Sequence, residues 1–91
     1  MSKIDEKIQE AVTKAGDAYA VLVCRNVGDA AGNITIVDGD GNEGPTQWQN
    51  CDEENAIEWA MEGMVGVFIV RSWWDEDKKE WDAHIEEYEN K

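Results

Sequence analysis

The chain has 91 residues, 21 of them Asp or Glu and 8 Lys or Arg, for a formal charge of −13. That length holds a single domain over residues 1–91, and no apolar run approaches the roughly 18 residues of a membrane span. Direct nucleic-acid binding is excluded for want of a basic patch that could displace counterions, while five Trp, two Tyr and one Phe in a chain 42% apolar argue for a folded core over disorder.

Residues 2–15 read as an amphipathic helix, with Ile4, Ile8, Ala11, Val12 and Ala15 on one face. Ser2 ahead of Asp5 resembles a capping box with the shorter acid, and Gly16 is a natural stop. Lys3, Lys7 and Lys14 make this the least acidic segment. Residues 18–25 form a strand apolar on both faces, which places it centrally in a sheet. A loop over 28–33 leads to a second strand, Asn33–Asp38, and residues 38–45 are dense in turn formers. Thr46–Asn50 is a short edge strand with Trp48 turned inward. Asp52 is placed to cap a second helix running to Glu62, with Ala56, Ile57, Ala60, Met61 and Met64 as its inward stripe and Gly63 as its end. Residues 65–74 are the strongest strand in the chain.

The C-terminal stretch admits two patterns. As a helix, Trp81, Ile85 and Tyr88 share a face. As a hairpin, Trp74 faces Trp81, Ser72 faces Ala83, Val70 faces Ile85 and Phe68 faces Glu87 across a loop from Glu76 to Lys79. Aromatic cross-strand pairs are worth about 0.2–1 kcal/mol each. The hairpin accounts for a whole face and the helix for three positions. The expected fold is therefore α+β, ordered αβββαββ, with a mostly antiparallel sheet of about five strands and two helices on one side of it. The alternative order is αβββαβα.

Chemistry-bearing patterns are few. Asp38, Asp40 and Asn42 offer oxygens at alternate positions, as a calcium loop does, but Gln49 stands where such a loop needs a bidentate carboxylate. A polar turn is the plainer reading, and a calcium-binding domain is kept as a minor alternative. Cys24 and Cys51 lack Cys-x-x-Cys spacing. Cys24 falls mid-strand as a small hydrophobe, and a disulfide to Cys51 is left open. His84 would face Arg71 across the hairpin, with Ser72 pointing to the opposite side, so no catalytic set forms. The expectation is a non-enzyme without cofactor or metal.

The acids are unevenly spread. Residues 1–51 hold 8 acids and 4 bases, and residues 52–91 hold 13 and 4. Glu54, Glu58 and Glu62 form a row on the second helix, spaced about 6 Å apart. Trp59 lies beside the row, and no Lys or Arg occurs between Asp52 and Val70. A second cluster comprises Asp75, Glu76, Asp77, Glu80, Asp82 and Glu86, continued by Glu87 and Glu89. Fixed negative charges at intervals of several ångströms are what a nucleic-acid backbone presents, with one phosphate about every 3.4 Å per strand. A basic cleft in a DNA-handling protein would attract them at long range. An exposed Trp would add a packing anchor.

These two clusters, on a short acidic αβ chain without signal, cofactor motif or catalytic set, resemble the phage-encoded anti-CRISPR proteins and antirestriction DNA mimics. The resemblance implies a stoichiometric inhibitor in the bacterial cytoplasm. It implies occupation of the nucleic-acid-binding site of a Cas effector subunit, with type I surveillance complexes slightly preferred, and a block on target-DNA recognition. The partner-binding residues would be Glu54, Glu58, Trp59, Glu62, Asp75, Glu76, Asp77, Glu80, Asp82 and Glu86, and self-repulsion favours a monomer. The alternative is an acidic interaction module, of immunity or phage-assembly type, whose contacts centre on exposed Trp. The lysine-bearing first helix would form a poor part of a DNA-like face.

Overall fold

Two segments of this chain are apolar at nearly every position, and both lie in the interior of the sheet. The computed structural model describes residues 3–25, 32–48 and 52–89. The elements are α1 (Lys3–Ala15), β1 (Tyr19–Arg25), β2 (Asn33–Val37), β3 (Glu43–Trp48), α2 (Glu53–Met61), β4 (Gly66–Asp75) and β5 (Glu80–Glu89). The order αβββαββ is the expected one. The chain is α+β, with one five-stranded sheet ordered β3-β2-β1-β4-β5. β1–β2, β2–β3 and β4–β5 are antiparallel, and the central β1–β4 pair is parallel.

The helices do not share one side of the sheet, contrary to expectation. α1 packs Ile4, Ile8, Ala11 and Ala15 onto Val21, Val23, Phe68 and Val70. α2 packs Ala56 and Ala60 onto the opposite face, against Leu22, Cys24, Val67 and Ile69. The cause is the strands themselves. Successive side chains alternate between faces, so a strand apolar throughout needs cover on both. Leu22 and Ile69 on one face and Val23 and Val70 on the other are all fully buried.

The C-terminal stretch is a strand, and its register is the one read from the sequence: Trp74–Trp81, Ser72–Ala83, Val70–Ile85 and Phe68–Glu87. The loop Glu76–Lys79 closes with Lys79 at φ 52, while Asp75 Oδ1 accepts hydrogen bonds from the amides of Asp77 and Lys78. The αβββαβα alternative is thereby overturned.

Smaller differences arise at element ends. β3 begins at Glu43, earlier than expected, and its pairing with β2 shifts register twice. Pro45 is tolerated because this is an edge strand. Asp52 precedes α2 but makes no side-chain cap; its Oδ2 accepts instead from Asn55 Nδ2 at 2.7 Å. Gly63, at φ 79, follows the helix as a left-handed terminator. Gly66 must be glycine for another reason, since an added Cβ would collide with the Tyr88 carbonyl and the Tyr19 ring. Ser2, Cys51 and the expected loop before Gly32 lie outside the described residues, as does the question of a bond between the two cysteines.

Candidate functional site

α2 carries its apolar residues on one side because Ala56 and Ala60 recur at a spacing of four, and this orients the rest. Glu54 and Glu58 are exposed on the side away from the core, and Trp59 beside them is 57% exposed, leaning towards the β3 edge of the sheet. Glu62 is exposed as well, but with an extended backbone at the helix C-cap, so the helical part of the row is Glu54 and Glu58. The Trp59 indole meets Trp48 of β3 edge-on, with centroids 5.6 Å apart. That contact braces one edge of the ring and leaves much of it open.

The hairpin cluster is less uniform. Asp75 is half-buried at the end of β4, and Glu76, Asp77 and Glu80 are exposed around the turn. Strand alternation places Asp82 and Glu86 on the same side of the sheet as α2, each half-buried. Two of the predicted carboxylates are already paired with a basic side chain of another element, Glu80 and Glu86. Lys3 at the start of α1 donates to Glu80 at 2.8 Å, and this bond raises the lysine pKa. The lysine-bearing helix therefore touches the acidic hairpin and neutralises part of it.

Glu86 is held more firmly. Its Oε2 accepts from Arg71 Nε at 2.9 Å and from the Tyr88 hydroxyl at 3.0 Å, and its Oε1 meets His84 Nε2 at 3.1 Å. The histidine hydrogen bond, aided by Arg71 and Tyr88, lowers its pKa to about 2. Arg71 reaches across to α2 as well, donating from Nη2 to Glu53 Oε2 at 2.7 Å. The guanidinium thus joins the second helix to the last strand, and it holds the Glu53 carboxyl below its ordinary range. Glu86 belongs to this clamp rather than to a freely presented acidic surface. On the other face of β5, Glu89 pushes the Glu87 pKa upward.

Sequence reading did not find the clamp. The signal was present: Arg71 follows four apolar residues in β4, and a guanidinium there requires counterions from the neighbouring elements. Of the predicted set, Glu54, Glu58, Trp59 and Glu62 are brought together on and just beyond α2. Asp75, Glu76, Asp77 and Glu80 gather at the hairpin end, and Arg71 lies between the two groups along β4.

The remaining candidates are placed as follows. Asp38 Oδ1 accepts from the amides of Asp40 and Asn42, both at 2.9 Å, so this carboxylate shapes a turn. Among the described residues no group of three or more His, Cys, Asp or Glu is arranged to hold a metal. Cys24 is buried in the α2-side core. His84 pairs with Arg71 in the ladder and stacks edge-on with Trp73. Ser72 is buried on the opposite face. No helix among the described residues is long and apolar enough to cross a membrane.

No family model matches the chain, and neither a curated protein nor a solved structure is similar to it.

Proposed function

We propose that this chain is a stoichiometric protein inhibitor whose carboxylates take the place of nucleic-acid phosphates in a basic cleft of a DNA-handling protein. The partner class is a Cas effector subunit, and the outcome is a block on target-DNA recognition. The observation that carries this reading is the surface of α2. Glu54 and Glu58 stand exposed beside an exposed Trp59, with Glu62 following, and no basic residue lies in the last turn of the helix. Asp75, Glu76 and Asp77 extend the negative field along the hairpin, while Glu80 and Glu86 contribute less because Lys3 and Arg71 offset them.

The test is charge reversal. Glu54→Lys, Glu58→Lys and Glu62→Lys together remove exposed groups and should leave the fold intact. The triple variant is expected to lose inhibition of effector–DNA binding by more than about tenfold, and wild-type binding should weaken steeply with added salt. Full inhibition by a folded triple variant rejects this surface. A second reading, an interaction module with apolar contacts, is favoured by Trp74 and Trp81, which form an edge-on pair 44% and 37% exposed on the α1 side. It predicts affinity insensitive to salt and lost on Trp74→Ala.

A further inference from the structure

We propose that the cleft between the last turns of α1 and α2 receives an arginine side chain, flanked by an apolar residue, from a basic partner protein. The cleft has a volume of about 720 Å³ and runs round the end of the sheet where β1 begins and β2 ends. That is the size of a small-ligand site. Val12 and Tyr19 form part of the α1-side wall and Ile36 and Met64 part of the α2-side wall, with Trp59 also lining it. An apolar residue of the guest has surface to bury here.

Charge selects the rest of the guest. Asp17, Asp38 and Glu62 line the cleft, and among the described residues no Lys or Arg does. Asp38 is occupied by its turn. The side chains of Asp17 and Glu62 have no ion pair or hydrogen bond among the described residues. Both helices also direct their C-terminal ends, which carry partial negative charge, to this region. Lys14 in the last turn of α1 acts instead on Glu87 of β5, on the far side of that helix. A cation entering the cleft meets the Trp59 ring, already braced by Trp48. Arginine suits this combination better than lysine, because its planar group stacks on indole while its fork engages carboxylates.

A second copy of this chain is a poor occupant. Each copy carries −13, and Lys3, Arg25 and Arg71 are already paired with Glu80, Glu43 and Glu53. The guest is therefore a different, basic chain. The assignment rests on the proposal above in taking the partner surface to be basic; the recessed site adjoins the exposed carboxylate row and shares Trp59 and Glu62 with it.

The experiment titrates the labelled protein with two blocked dipeptides, Ac-Leu-Arg-NH2 and Ac-Leu-citrulline-NH2, followed by NMR. Citrulline keeps the shape of arginine and removes its charge. The expected result is saturable shifts at the Trp59 indole N–H and the Gly16 and Gly39 amides, with the citrulline peptide weaker by about fivefold. Asp17→Asn, an exposed position outside the carboxylate row, should reduce that preference by about half or more. Equal binding of the two peptides overturns the proposal, as do shifts that never saturate or that gather at residues 75–80. No partner is needed, so the two proposals fail separately. If the triple lysine variant keeps its inhibition while the arginine peptide binds as expected, phosphate mimicry falls and the cleft stands.

Discussion

The two faces of the sheet are covered unequally. α1 is 13 residues long, buries four side chains and lies across β1, β4 and β5. α2 is 9 residues long, fully buries only two alanines, and leaves the β5 side of its face to Arg71, Trp73, Asp82, His84 and Glu86. The α1 face is a conventional apolar layer. The α2 face is thin, and an ion-pair clamp does part of the joining there. A short helix on small residues brings the backbone close to the sheet and turns its long side chains Glu54 and Glu58 outward. The two helices therefore differ in how much apolar side chain each contributes, α1 four buried residues and α2 two alanines, although the sheet residues beneath both are buried.

Truncation tests the contrast most directly. Ile8→Ala on α1 should cost about 2–5 kcal/mol in a denaturant titration. Ile57→Ala on α2, at a half-buried site, should cost about 1 kcal/mol. Equal losses would break the comparison.

The clamp sharpens it. Arg71→Met strips Glu53 and Glu86 of their shared partner and should cost about 1–2 kcal/mol, between the values for exposed and buried ion pairs. It should also change the acid response. The Glu86 pKa falls in the folded state from 4.5 to about 2, so its stabilisation is present above pH 4.5 and is lost as pH drops towards 2. Thermal melts across that window should show a shallower decline in the Arg71 variant than in the wild type.

The smallest effect belongs to the well-packed face. Ser72 Oγ is buried opposite Ala83 with no hydrogen-bond partner among the described residues. Ser72→Ala should be neutral or stabilising, by up to about 1 kcal/mol. A clear loss of stability would mean that the hydroxyl is satisfied.

What was legible in the sequence follows from local periodicity. The hairpin register could be read because period-two alternation aligned Trp74 with Trp81 and Val70 with Ile85 across a short loop. The inward sides of both helices could be read because apolar residues recur at three and four. Which face of the sheet each helix covers is not local, since it depends on the path from β1 through β2, β3 and α2 to β4. Even so, the doubly apolar runs at 20–24 and 67–70 already called for cover on both sides. The exposure of Glu54, Glu58 and Trp59 was legible from the helix pattern. The engagement of Glu80 by Lys3 and of Glu86 by Arg71 was not, because each joins residues from separate elements.

The parallel seam between β1 and β4 also has a consequence during synthesis. β1 leaves the ribosome well before β4 exists, and at about 5–20 residues per second the wait lasts several seconds. Throughout it, the Val21–Cys24 edge has a neighbour in β2 on one side only. Such an edge invites pairing with other nascent chains. The excess of acids over bases in the N-terminal half, 8 to 4, gives emerging copies a mutual repulsion while they wait.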